Sequence, residues 1–413
     1  MKITVKKLKN GITVAVCSFP QLQSVGINIG VKYGSVDENP KINGSAHFLE
    51  HMLFKGTTKR NWKKQNEFVR SIGAYSNAYT DYESTTYQIM SYKAYFKDSL
   101  DLISDMLTNS ILPPKEFESE RGPIINENLI QEDNPRYFAR DYLPKALFKK
   151  HPARMPIGGN NKTTINKITR YDLFDIYKKH YTPENMVVAV YGGIHENNAI
   201  KLVSKYLKNF KGINSELKRP MAREKQIKTE RIFSRVGTKQ ARIAVGFKTS
   251  EFRNTPEGIR EYLSILVASD LLSYRLYEQI REKRGLSYDP SSYSYMYSTF
   301  GFIAAEAGVE PSKLNQTKGI ILDEFQKLEN GDITKEEVKK TINKIRITYK
   351  MARESSWHMA SLIASSQLTY GDPKFTFSIP EIIGNIHLND VKAACKKYID
   401  ADKYSMVMLK PKD

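Results

Sequence analysis

One order of local patterns runs through this chain twice, and that recurrence limits what it can fold into more than any other feature. In the first half, two short strands meet at Asn10-Gly11, a strong hairpin signal, and a third spans residues 24–33. A helix follows, then a second over 61–72, and then a tyrosine-rich, β-like stretch over 73–90. Helices over 95–107, 117–131 and 165–180 lead to the apolar strand Met186 to Tyr191, closed by Gly192-Gly193. The same order returns as a strand over 241–249, a long helical stretch over 256–284, and a second tyrosine-rich stretch over 285–307. Helices over 313–328, 334–351 and 391–398 then precede a strand over 406–409. Tyr181-Thr-Pro-Glu-Asn-Met186-Val-Val is echoed by Tyr398 and the Met406-Val-Met that follows it. The pattern predicts an α+β protein of two similar tandem domains, each a mainly antiparallel sheet flanked by helices. Residues 210–231 are polar and basic with few apolar anchors, which predicts a linker between domains at 1–209 and 232–413.

Composition narrows the function classes. At 40% hydrophobic and 11% aromatic residues, 413 residues can fill more than one core, which excludes a disordered chain. The longest apolar run, Met186 to Tyr191, is far too short to span a membrane, and the start has no signal-peptide core. A cytoplasmic location is the expectation. Cys17 and Cys395 lie near opposite ends and support neither a disulfide framework nor a cysteine-based metal site. The formal charge of +19 raises the question of nucleic acid. The basic residues, however, are scattered as lysine pairs and form no nucleic-acid-binding signature, so solvated faces explain them and a nucleic-acid partner is not expected.

The chemistry concentrates in His47-Phe-Leu-Glu50-His51. On a helix, residues three and four apart share a face, so both imidazoles can aim at one point with Glu50 beside them. Zinc takes neutral imidazole nitrogens, and a carboxylate beside it can accept a proton from water attacking a carbonyl. Leu49, Met52, Leu53 and Phe54 give this helix a core-seeking surface. The matching helix of the second half, near 264–276, has no histidine, so only the first half can hold the metal. A third ligand must come from elsewhere. Glu120 and Glu127 are seven residues apart, two helical turns, and both can face the motif helix, although spacing alone also fits glutamates on a solvated surface. Gly122-Pro123 lies between them, where the helix is expected to restart or kink.

With Glu127 76 residues after His51, the chain resembles the inverted-zincin metallopeptidases: pitrilysin, insulin-degrading enzyme and the β-type mitochondrial processing peptidase. The resemblance extends over His47–Thr57, Ser76–Thr80, Glu120–Glu127, His151–Gly158 and Arg281–Tyr288. It implies a zinc endopeptidase acting on peptides, with one zinc per chain bound by His47, His51 and Glu127. Glu50 would be the general base and Glu120 a supporting glutamate. It implies further that Asn77, Ala78 and Tyr79 form an edge strand on which a peptide is laid, and that Arg281 and Tyr288 contact the substrate. Larger members fuse two such chains, so a homodimer with composite sites is expected here. A heterodimeric processing protease and a non-catalytic scaffold are the alternatives that the family leaves open.

Overall fold

The protein is described by a computed structural model over residues 2–212 and 216–412; residues 213–215 of the expected linker lie outside the described residues. Its fold is α+β. Six strands form the first sheet: β1 (Thr4–Lys7), β2 (Thr13–Ser18), β3 (Ser24–Val31), β4 (Tyr75–Thr80), β5 (Thr85–Tyr92) and β6 (Met186–Gly192). Their order is β1-β2-β6-β3-β5-β4, and only the β2–β6 pairing is parallel. The second sheet holds β7 (Thr229–Arg235), β8 (Ala241–Thr249), β9 (Ser291–Met296), β10 (Gly301–Val309) and β11 (Ser405–Pro411). Its order is β7-β11-β8-β10-β9, with β7–β11 as its one parallel pair. Apart from β1, the two sheets repeat one plan. In each, the closing strand inserts between the opening pair, as the echo around Met186 and Met406 suggests.

Packing divides the described residues into two compact units, and neither is continuous in sequence. One comprises Met1–Asn128, Pro156–Lys218 and Tyr349–Ser378; the other comprises Leu129–Met155, Arg219–Thr348 and Ile379–Asp413. The first sheet belongs to the former and the second sheet to the latter.

In the first unit both faces of the sheet are covered, which explains why its strands read as apolar runs and not as alternation. Val14 and Val16, Val25, Ile27, Ile29 and Val31, and Val188 and Val190 point into a core shared with Phe48, Leu49, Met52 and Leu53 of the helix Ser45–Leu53. Ala15, Cys17, Val187, Ala189 and Tyr191 face the other way, against Met359, Ala360, Ile363 and Ala364 of the helix Ser356–Tyr370. That helix lies close because β3 presents glycines to it. A Cβ added at Gly26 would sit 2.2 Å from the Ser356 carbonyl oxygen, and one at Gly30 would sit 2.5 Å from Leu368 Cδ1.

Several local features depart from the sequence expectation. The helix Pro114–Asp133 is continuous through Pro123 and does not restart there. β7 begins inside the stretch expected to be linker. The helices Pro135–Leu147, Glu196–Leu207 and Ser356–Tyr370 were not apparent from periodicity. Both cysteines are buried as free thiols. No helix among the described residues is long and apolar enough to cross a membrane.

The glycine contact yields a direct expectation. Gly26→Ala should lower unfolding stability by roughly 1–3 kcal/mol through overpacking. Gly319→Ala, exposed in the helix Leu314–Asn330 with open space around it, should raise stability by up to about 1 kcal/mol. Urea denaturation of the two variants separates these outcomes.

Candidate active site

The motif helix Ser45–Leu53 is almost wholly buried, and its polar residues are accommodated one by one. At its start, Glu38 accepts the backbone N–H of Gly44 at 2.8 Å and of Ala46 at 2.7 Å, so a carboxylate caps the positive end of the helix. Asn43 Nδ2 donates to the same carboxylate at 2.7 Å. Gly44 enters the helix at φ +95° against the carbonyl oxygen of Gly158, a conformation and a contact that both favour glycine. Phe48 stacks on Phe117 with ring centroids 4.9 Å apart, which fixes the helix Pro114–Asp133 alongside. Residues 117, 120, 124 and 127 follow helical spacing, so one face of that helix carries the stacked Phe117, the buried Ile124 and both glutamates.

The donors converge where these helices meet. His47 Nε2 and His51 Nε2 are 3.3 Å apart. Glu127 Oε1 is 3.7 Å from His47 Nε2, and its Oε2 is 3.4 Å from His51 Nε2. Zinc bonds of about 2.0–2.1 Å at tetrahedral angles set ligand atoms roughly 3.3–3.5 Å apart. The two histidine nitrogens match such an edge, and Glu127 approaches one of them with each of its two oxygens. Among the described residues, these three are the one group of three or more whose donor atoms cluster in a way that can hold a metal. The other nitrogen of His51, Nδ1, is 2.9 Å from Glu120 Oε1, and Lys55 Nζ pairs with Glu120 Oε2 at 2.5 Å. A carboxylate behind a ligand imidazole sets its tautomer and raises its basicity.

Burial lowers the His47 imidazole to about 4, and the neighbouring His51 adds to the effect. Burial also disfavours charge on His51, but its hydrogen bonds to Glu120 and Glu127, which accept from the ring, outweigh it and raise the ring to about 9. Burial acts on Glu120 in the opposite sense, yet its bonds to His51 and Lys55 hold its carboxyl below the usual range. Glu50 lies on the same helix, buried, with Oε2 accepting a 2.6 Å hydrogen bond from Thr80 Oγ1. Burial raises its carboxyl to about 7, against the pull of Thr80 and His51.

Thr80 ends β4, the edge strand of the first sheet. Ala78 is buried while Asn77 and Tyr79 are exposed, as strand alternation requires. On the exposed face, Tyr79 Oη is 2.8 Å from Ser361 Oγ, and the ring of Tyr75 lies edge-on to Trp357 at 4.7 Å. Arg281 and Tyr288 belong to the other unit and touch one another. The Arg281 guanidinium lies 4.2 Å from the centroid of the Tyr288 ring and 5.0 Å from that of Tyr277.

The structure therefore brings His47, Glu50, His51, Glu120 and Glu127 together, sets Asn77–Tyr79 on a strand that reaches Glu50 through Thr80, and holds Arg281 with Tyr288. Sequence reasoning missed three participants: Glu38, Lys55 and Thr80. Lys55 lies in the turn just after the motif helix ends at Leu53. Thr80 has the parity of Ala78 in β4, and that parity is the signal that could have revealed it.

Comparison with known proteins places the chain in a family. Residues 13–161 match the family described as insulinase (peptidase family M16), and residues 167–345 match the peptidase M16 inactive domain. The chain belongs to the M16 family of peptidases. The M16 division explains why the donors lie in the first match and no second motif occurs in the other. An uncharacterized zinc protease of Rickettsia bellii is 29% identical over 404 residues, covering 98% of this chain and 97% of that protein. A protease from Helicobacter pylori shares the fold at a TM-score of 0.91 and 22% identity, covering 99% of each chain. A chain of complex III2 from Candida albicans also shares it, at a TM-score of 0.85 and 18% identity over 99% of this chain and 96% of that one. The M16 fold at such distances does not assign hydrolysis; the side chains must.

Glu120→Gln should leave the fold intact and lower zinc affinity by about ten- to a hundredfold, because His51 loses its charged partner. Competition against a chromophoric chelator measures this.

Proposed function

We propose that the chain is a zinc-dependent endopeptidase that hydrolyses peptides or unstructured protein segments. The observation that carries this reading is the convergence of three metal-ligating residues, with nearest donor atoms 3.3–3.7 Å apart, and a buried carboxylate on the same helix that is not one of the three. When bound by His47, His51 and Glu127, zinc supplies Lewis acidity toward water and the scissile carbonyl. Thr80 occupies Glu50 Oε2 and so leaves Oε1 to take the proton of the attacking water. The same oxygen returns that proton to the amine as the C–N bond breaks. The free edge of β4 is suited to pair with an extended main chain along Asn77-Ala78-Tyr79, which makes recognition tolerant of sequence. Arg281 and Tyr288 supply N–H and O–H donors for the substrate main chain and the developing oxyanion.

Zinc analysis and an internally quenched peptide test the assignment. Glu50→Gln should keep its zinc while turnover falls by roughly a hundredfold or more. Glu127→Gln should lose metal and activity together. Zinc retained at wild-type occupancy in Glu127→Gln would remove that residue from the ligand set, and near-normal turnover in Glu50→Gln would remove the base.

We propose further that two copies pair, each completing the other's site with Arg281 and Tyr288. The support is that larger members of the family it resembles fuse two such chains, while here the metal donors and the arginine–tyrosine pair belong to different compact units of one chain. Mixing Glu50→Gln chains with Arg281→Ala chains should then restore activity well above either parent, provided subunits exchange. Verified mixed dimers without recovery would show that the pair acts within its own chain.

A further inference from the structure

Tyr288 is 80% exposed, so packing does little to fix it. It sits on the loop that follows the helical segment Tyr277–Glu282. Near that helix the loop is tied by Gly285 N–H to the Arg281 carbonyl and by Leu286 N–H to the Ile280 carbonyl, both at 2.9 Å. Arg281 Nη1 donates to the Tyr288 carbonyl at 3.3 Å. Further ties lie at the next residue, where Asp289 N–H donates to Ser287 Oγ at 3.3 Å and Arg136 Nη1 lies 3.8 Å from Asp289 Oδ2. Arg242 Nη1 donates to both carboxylate oxygens of Asp289, at 3.0 and 2.9 Å.

Arg242 is buried, in β8, and the surrounding sheet is shaped to hold it. Across the strands it pairs with Gly308 of β10. A Cβ at Gly308 would lie 2.8 Å from Arg242 Nη1 and 3.5 Å from Asp289 Oδ1, so the glycine opens the space through which the ion pair passes. Two residues along β10, the fully buried Glu306 balances the charge. Its Oε1 is 3.2 Å from Arg242 Nη2, though outside hydrogen-bond geometry, and it accepts from Arg140 Nη2 at 2.8 Å and Arg136 Nε at 3.1 Å. A buried arginine with a compensating glutamate on one side and a loop aspartate on the other is a rigid anchor.

We infer that Arg242, acting through Asp289, is a positioning residue that holds Tyr288 and Arg281 in the geometry that meets the substrate. This rests on the substrate role proposed above for Arg281 and Tyr288. Asp289 is not assigned a contact with the reacting atoms; its carboxylate fixes the far end of a loop whose near end is fixed by the helix. The loop then presents the phenol and the guanidinium as one unit, with the Arg281 side chain between two tyrosine rings.

The test uses Asp289→Ala and the milder Asp289→Asn in the full chain. Asp289 is partly exposed, and Asp289→Asn keeps its volume. In Asp289→Ala, hydrogen exchange in residues 283–289 should speed up by about tenfold while β8 and β10 keep their protection. Unchanged exchange in that segment would overturn the inference without reference to activity. On an internally quenched peptide, with zinc content equal to wild type, kcat/KM should fall roughly tenfold to a hundredfold in Asp289→Ala and less in Asp289→Asn. In an Arg281→Ala/Tyr288→Phe background, the same change should cost less than about twofold, because there is no longer a pair to position. A loss that adds in full to that of the pair would mark a general structural defect and overturn the inference. Impairment of the pair variant with none in Asp289→Ala overturns the positioning role alone. An unimpaired pair variant overturns the substrate role and this inference with it.

Discussion

Charge held inside an apolar helix is the condition on which the rest of this site depends. The helix Ser45–Leu53 supplies core residues to the first unit and must bury them, yet it also carries two imidazoles and a carboxylate. An ion left unpaired in such surroundings costs several kcal/mol. Each group is therefore met by something specific: Glu38 at the helix start, Thr80 at Glu50, and Glu120 with Lys55 behind His51. His47 Nδ1 is the exception, buried without a hydrogen-bond partner among the described residues. Its Nε2 still aims at the shared point. The helix is satisfied at its rim and leaves at its centre donor atoms that, with Glu127, can hold a metal ion.

The second unit meets a similar constraint with no metal motif. Glu306 and Arg242 are sealed between strands, and both depend on partners contributed by the helix Pro135–Leu147 and by the loop at Asp289. The strand plan is the same in both sheets. What differs is which element carries charge into the interior: a helix in the first, the sheet itself in the second. Copies of one architecture have come to bury different chemistry.

The motif and its helix were legible because helical spacing is local, and three or four residues decide which side chains share a face. The duplicated α+β plan was legible for the same reason, from successive strands and helices and the echo at Met186 and Met406. The restart expected at Pro123 does not occur, because a proline removes one hydrogen bond and does not compel a new helix when buried residues on both sides, Phe117 and Ile124, hold it. β7 was hidden in a polar stretch: an edge strand with most of its residues exposed lacks the apolar signal of an interior one. Lys55 and Thr80 went unnoticed because their partners, Glu120 and Glu50, lie on other elements; for Thr80 the strand parity shared with Ala78 names its face but not its partner. The helix Ser356–Tyr370 was obscured for a different reason. It serves glycines more than three hundred residues away, and no pattern within it reveals that target.

That helix has a counterpart. Pro135–Leu147 lies in the first half of the sequence but in the unit of the second sheet, while Ser356–Tyr370 lies in the second half but in the unit of the first. Each half has lent a helix to the other, as two protomers do in a domain-swapped dimer joined end to end. Severing the polypeptide between Leu207 and Thr229 would thus not release two self-sufficient halves. Each fragment would carry a sheet lacking one of its own layers and a helix with no sheet to cover, so either fragment would need the other to fold. In this chain the two halves of the sequence do not coincide with the two compact units of the fold.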